Sequence, residues 1–188
     1  MTIGTYSWEE YVRLVTSFHG SVEPGLMIGG LIVDLALKSL PEGERFDAIC
    51  ETLVCLPDAV QLLTPCTIGN GRLTIMDFGK FAATLYEKTS GEGTRVFLDT
   101  DSLGDRPEIN AWYFKLAPAG ERDQDLLLRR IRDAGHSILG TQRVRVNPAG
   151  LRREKAGASA VCPECGESYP ARHGTRCRGC AGGSPFLK

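Results

Sequence analysis

Residues 26–40 read Leu-Met-Ile-Gly-Gly-Leu-Ile-Val-Asp-Leu-Ala-Leu-Lys-Ser-Leu, an apolar run broken early only by Asp34. Just ahead of it stand Pro24 and Gly25, and proline suits a first helical turn because the N–H it lacks would go unpaired there anyway. The spacing predicts a helix that starts at Pro24 or Gly25 and is apolar on nearly every side. Such a helix belongs in the centre of a protein, with everything else packed around it. Its N-terminus carries the positive end of the backbone dipole, and His19 and Glu23 lie immediately before it. An imidazole and a carboxylate in that position can bind a metal, move a proton or hold an anion. The plainer alternative is a loop histidine and an acid that merely satisfies the dipole.

The cysteines divide the chain. Cys162, Cys165, Cys177 and Cys180 crowd into the last stretch, whereas Cys50, Cys55 and Cys66 lie far upstream. A chain of 188 residues has room for one well-filled core and a small appendage. The expected division is a core domain over 1–147, a linker over 148–160 and a four-cysteine finger over 161–188. Charge changes sign at the same cut, with 15 Lys+Arg against 20 Asp+Glu up to Asn147 and 7 against 3 beyond it. Zinc held by four thiolates would cancel about two of the tail's surplus positive charges, which gives little support to a nucleic-acid partner. The first residues show no cationic segment followed by an apolar stretch and a small-residue cleavage site. The apolar run, interrupted at Asp34, falls short of the roughly 20 residues that cross a bilayer. An odd number of cysteines without an export signal points to a reducing interior. The expectation is a cytoplasmic protein with no membrane partner.

Ser7-Trp8-Glu9-Glu10 has the spacing of a capping box and precedes Tyr11, Leu14, Val15 and Phe18 at helical intervals. A first helix should therefore run to about Phe18, turn at Gly20 and feed the central helix, which Pro41-Glu42-Gly43 closes. Residues 46–53 alternate like a half-buried strand running on into Val54-Cys55. A short helix over 57–63 follows, with Asp58 as its capping acid and Thr64-Pro65 as its stop. Strands are predicted over 73–78, 81–86 and 95–99, the last two as a hairpin, so the sheet should be antiparallel. Helices are predicted from Asp105 through Trp112 and Phe114, and over 121–133 with Leu126, Leu127, Leu128 and Ile131 inward; Pro118-Ala119-Gly120 separates them. His136 falls just past the second of these and reads as a structural histidine at the negative dipole end. Residues 139–147 read as a strand with one basic, solvated face. The fold class is α+β, an antiparallel sheet with packed helices plus a small zinc finger.

Two constellations can carry chemistry. Cys162-Pro-Glu-Cys165-Gly and Cys177-Arg-Gly-Cys180 are two Cys-x-x-Cys knuckles with 11 residues between them. Each can place a pair of sulfurs on one side of a Zn²⁺, and Gly166 and Gly179 permit the tight turns required. With all four positions filled by sulfur, the ion should be structural, one per chain, and His173 reads as a loop residue. The second constellation is His19, Glu23, Cys55 and Cys66. Sulfur with imidazole and carboxylate suits zinc or another late first-row transition metal, with room left for water or substrate. Without a metal, His19 and Cys66 could form a catalytic pair around an activated thiol. Equally, Cys55 and Cys66 could be small buried hydrophobes, as Cys50 is expected to be.

Phe18-His19-Gly20 with Pro24-Gly25-Leu26 and Gly29, then Cys55 with Asp58-Ala59-Val60-Gln61, then Cys66-Thr67 with Gly69, Gly71 and Leu73, and finally Asp77-Phe78-Gly79-Lys80 resemble the FmdE family. That family is named for a component of the molybdenum or tungsten formylmethanofuran dehydrogenase, which reduces CO₂ to a formyl group on a one-carbon carrier. The resemblance covers about residues 10–100, and the final four cysteines agree with members that carry a treble-clef zinc finger. It implies an α+β core, a homodimer and a place in one-carbon metabolism beside that dehydrogenase. The family pattern has a second histidine where this chain has Ser21, a cysteine where it has Glu23 and an arginine where it has Leu31. Glu23 would replace a soft sulfur by a hard oxygen and change which metal the site prefers. The functions to be weighed are thus an FmdE-like metal-binding protein, a dimeric adaptor whose finger binds protein or nucleic acid, and a thiol-based redox or transfer enzyme.

Overall fold

The capping box forms as the sequence predicts. Glu10 N–H donates to Ser7 Oγ at 3.2 Å, and Ser7 N–H donates back to Glu10 Oε2 at 2.8 Å, which starts helix α1 (Trp8–His19). Gly20, at φ 93°, ends it in the left-handed conformation, its N–H donating to Thr16 O. The computed structural model describes residues 1–40, 45–116, 118, 123–151 and 157–186, with backbone alone at 148 and 149. The predicted helix stop at 41–43 and most of the break at 118–120 lie outside these residues.

Helix α2 (Pro24–Lys38) is buried along nearly its whole length. Its glycines set how closely neighbours approach. A Cβ at Gly30 would lie 2.5 Å from the ring of Tyr11, whose hydroxyl donates to Leu26 O at 3.1 Å, so α1 sits flush on α2. A Cβ at Gly29 would lie 3.0 Å from Ala59, in helix α3 (Leu56–Leu63). Asp34, the lone charge in the run, is buried, and its carboxylate accepts Gly4 N–H at 2.9 Å and Lys38 Nζ at 2.7 Å. His136 Nε2 lies 2.8 Å from the same carboxylate, out of line for a hydrogen bond. His136 therefore faces a buried side chain as well as the end of α5 (Gln124–Ala134).

Two short strands, β1 (Thr2–Ile3) and β2 (Tyr6–Ser7), pair at the start of the chain. The main sheet holds β3 (Phe46–Cys50), β4 (Leu73–Ile75), β5 (Ala82–Glu87), β6 (Glu92–Leu98) and β7 (Leu139–Arg145) in the order β4-β3-β5-β6-β7. Helix α2 packs against β5 and β6, with Leu85, Val96 and Leu98 in the same buried core. The expected antiparallel arrangement holds for β3–β5, β5–β6 and β6–β7, but β3 and β4 are parallel. The reason is the crossover: α3 lies between them, and such a connection returns the chain in the same direction. Strand β3 stops at Cys50 rather than running on to Cys55, and Leu53 and Val54 are exposed. Helix α4 (Pro107–Tyr113) packs on α5, in which Leu127 and Ile131 are buried.

The chain divides into two units, Met1–Leu151 and Arg152–Lys188. The second contains an antiparallel pair, β8 (Ser159–Val161) and β9 (Ser168–Pro170), and a last helical turn over Gly179–Gly183. It is stapled by a hydrogen bond from the Tyr169 hydroxyl to Gly174 O at 2.9 Å. Among the described residues, no single helix is long and apolar enough to cross a membrane.

Candidate metal centres

In the C-terminal unit the first knuckle spans the turn between β8 and β9. Gly166, at φ 76°, takes the left-handed conformation there, and its N–H donates to Cys162 O at 2.9 Å. The second knuckle leads into the last helical turn, where Ala181 N–H donates to Cys177 O and Cys180 N–H points at Cys177 Sγ from 3.3 Å. An ion pair of 2.6 Å between Arg176 and Glu164 links the two knuckles. The four sulfurs lie within 4.8 Å of one another, the span of a tetrahedral site with metal–sulfur bonds of about 2.3 Å. Amide groups of Cys177 and Cys165 directed at Cys162 pull its thiol down to about 6, while the neighbouring sulfurs push Cys180 up to about 12. Sulfurs that hinder one another's ionisation in this way need a cation among them to become four thiolates. His173 is not among the ligand atoms of this four-cysteine metal site.

The core constellation is only partly assembled. His19 is the last residue of α1, and its Nδ1 lies 2.7 Å from Asp58 Oδ2 in the first turn of α3. The carboxylate accepts the Nδ1 proton and leaves Nε2 outward for a metal or a proton. Glu23 is the N-terminal cap residue of α2, and its Oε1 accepts the Ser21 hydroxyl at 3.1 Å. Cys55, not Asp58, caps α3 and does so with φ 58° and ψ −52°. Leu56 N–H donates to Val54 O at 2.6 Å across it, which makes Cys55 the centre of a γ-turn of the rare, strained kind. The turn drives the sulfur onto α2, where a Cβ at Gly25 would lie 3.0 Å from Cys55 Sγ. Only glycine leaves that space.

The electrostatics of this corner separate two chemistries. Burial raises the Cys55 thiol, and the charges of Glu23 and Asp58 raise it further. A nucleophilic cysteine needs an electropositive surrounding that favours its thiolate, and this one is electronegative. An imidazole nitrogen, a thiol and a carboxylate with negative charge around them form instead a donor set that a transition metal cation would satisfy. The set is open: among the described residues the only three or more His, Cys, Asp or Glu ligand atoms lying within 4.8 Å of one another are those of the finger.

Cys66, expected in the same site, stands at the other end of α3. It is fully buried, its sulfur 3.5 Å from Phe46 O at the start of β3 and its N–H bonded to Thr64 Oγ1. Burial raises its thiol, partly offset by Thr64 and Arg72. The structure therefore does not bring Cys66 to His19 within one chain, because α3 holds Cys55 and Cys66 apart. Cys50 is buried and pushed up to about 12 by desolvation, next to Glu51, as a packing cysteine would be. Asp58 reads from the sequence as a helix cap, and its part beside His19 emerges only in the fold. The signal for it is its place three residues after Cys55, in the first turn of a short helix.

The FmdE family model, described as belonging to the molybdenum formylmethanofuran dehydrogenase operon, matches residues 18–146, and the FmdE treble-clef zinc finger model matches residues 153–187. The chain belongs to the FmdE family. A solved structure of an FmdE-like protein of the tungsten formylmethanofuran dehydrogenase, from Syntrophus aciditrophicus, is 52% identical and superposes with a TM-score of 0.90, covering 99% of this chain and 98% of that one. A probable S-adenosyl-L-methionine-binding protein of Archaeoglobus fulgidus is 33% identical over 94 residues, which is 46% of this chain and 26% of that protein. The chain thus spans about a quarter of the length of that curated relative. This FmdE-like chain is a metal-binding protein with a zinc-finger domain.

Proposed function

We propose that this FmdE-like chain is a cytoplasmic homodimer that serves one-carbon metabolism beside a molybdenum or tungsten formylmethanofuran dehydrogenase. In this reading Cys162, Cys165, Cys177 and Cys180 hold one structural zinc, and His19, Glu23 and Cys55 hold a second transition metal. Asp58 orients the imidazole and is not itself a ligand. The observation that carries the second centre is Cys55, held in a strained γ-turn against Gly25 with Glu23 and Asp58 around it. Strain of this kind, about 1–3 kcal/mol, persists where function needs the side chain aimed. The metal would hold Cys55 as thiolate and leave positions free for water or a ligand, and side-chain rotation would close the donors onto it. Association with the dehydrogenase is supported by the operon in the family's description and by the tungsten-enzyme relationship of the Syntrophus protein. Dimerisation is supported by exposed apolar residues near the same corner, Phe18, Leu53, Val54 and Phe78.

Metal analysis tests this reading. The intact protein should hold two metals per chain, Cys55→Ser should hold one, and Cys66→Ser should still hold two. One metal in all three proteins removes the second centre. Light scattering of the purified chain tests the dimer.

A further inference from the structure

A small cleft of about 180 Å³ opens beside the core site, walled by Phe81, Phe97 and Tyr113 and flanked by Lys80 and Arg95. The walls are fixed by features the metal reading does not use. Phe97 lies over its cross-strand partner Gly140, where a Cβ would come within 2.4 Å of the ring, so the glycine is what lets the aromatic lie flat. Arg95 stacks on Phe97 with its guanidinium carbon 5.0 Å from the ring centre. The same guanidinium donates twice to Glu51, at 2.6 and 2.8 Å, so its charge is already matched. Lys80 differs. It is exposed, it follows the left-handed Gly79, and its backbone N–H is tied to Glu51 O at 3.1 Å. Among the described residues no carboxylate lies within ion-pair distance of its ammonium group.

We propose that this cleft binds a single-ring aromatic carboxylate, with the ring between Phe81, Phe97 and Tyr113 and the carboxylate on Lys80. Three aromatic walls favour a flat ring through stacked and edge-on contacts. The unmatched ammonium of Lys80 sets the ligand's charge at minus one. The volume lies well below the roughly 300–1,000 Å³ of pockets for larger ligands, which limits the occupant to one ring. Phe81 links the cleft to the core site, since its ring tip would lie 3.7 Å from a Cβ at Gly25, where Cys55 Sγ also packs. The cleft as the substrate pocket of that centre rests on the metal reading; binding itself does not.

Benzoate, with uncharged benzamide as its control, is the probe, titrated by calorimetry into the full zinc-loaded chain. Benzoate should bind saturably and benzamide at least about tenfold more weakly. Lys80→Met should weaken benzoate about tenfold and leave benzamide unchanged, and Gly140→Val, which displaces Phe97, should weaken both. Finger zinc content reports that each variant is folded. Equal affinity for the two probes, benzoate binding unaltered by Lys80→Met, or no saturation by about 50 mM overturns the proposal. Metal counts on the same samples keep the two readings apart. Lys80-dependent binding in a protein with only the finger zinc upholds the cleft and removes the second metal, and two metals without benzoate binding does the reverse.

Discussion

The two cysteine-bearing regions solve opposite problems. In the C-terminal unit four sulfurs converge from two knuckles close in sequence, and few large side chains are buried there beyond Tyr169. In the core, His19, Glu23 and Cys55 arrive from the ends of α1, α2 and α3, and a full hydrophobic interior holds those helices whether or not an ion is bound. The finger is a fold that a metal makes, and the core is a fold that can offer a metal site. A closed site built from local spacing should be all-or-none, while an open site built from distant elements can be strained and tuned.

The largest effect expected from this contrast is on the finger. Structural zinc contributes roughly 10–16 kcal/mol of apparent binding energy in small fingers. Cys165→Ser should therefore release the finger's ion and abolish amide protection across 157–186 while leaving α2, β5 and β6 protected. Hydrogen exchange reads both at once, and loss of protection in α2 would break the comparison. The core's own fixed point is Asp34. Removing one partner of a buried ionic cluster costs about 3–5 kcal/mol, although Lys38 and His136 keep some water contact, so Asp34→Ala should cost about 3 kcal/mol. Denaturant unfolding measures it, and metal counts should not change.

A smaller effect sharpens the core site. A carboxylate behind a metal-bound histidine is worth about 10–100-fold in affinity, so Asp58→Asn should weaken the second metal by that factor and leave the finger zinc in place. Cobalt titration separates the two by spectrum. Because burial and two carboxylates raise the Cys55 thiol, metal entry must displace its proton, and cobalt affinity at this centre should fall as pH falls.

What is legible in the sequence follows the range of the interactions. The finger is legible because its ligands are spaced along a few turns of chain, and so is α2, whose composition leaves it no place except the interior. The capping box of α1 is equally local. The parallel β3–β4 pair is not visible, because strand direction depends on α3 crossing between them. The position of Cys66 escapes for a related reason: α3 looks brief in sequence, yet its two turns are enough to carry Cys55 and Cys66 to opposite ends. The strand predicted over 46–53 is too long because the apolar Leu53 and Val54 look like strand residues. In the fold they are exposed and form the approach to the γ-turn at Cys55. No periodicity announces a cysteine at positive φ. The only sign is Gly25, a glycine in a helix with no turn to make.

The smallest effect isolates that strain. At φ 58° a Cβ is unfavourable and glycine is at ease. Replacing Cys55 by Ala removes the sulfur but keeps the strain, and replacing it by Gly removes both. Glycine also gains freedom in the unfolded chain, which works against it by about 0.5–1 kcal/mol, while the strain it relieves is about 1–3 kcal/mol. The Gly variant should therefore be more stable than the Ala variant by about 1 kcal/mol, and both should lack the second metal equally. Thermal and denaturant unfolding of the pair with zinc in the finger measures the difference without reference to the lost sulfur. If Ala proved the more stable, Cys55 would not be strained, and its place against Gly25 would be ordinary packing. No cysteine in the finger should behave this way, because none takes a positive φ and the glycines beside the knuckles make the turns for them.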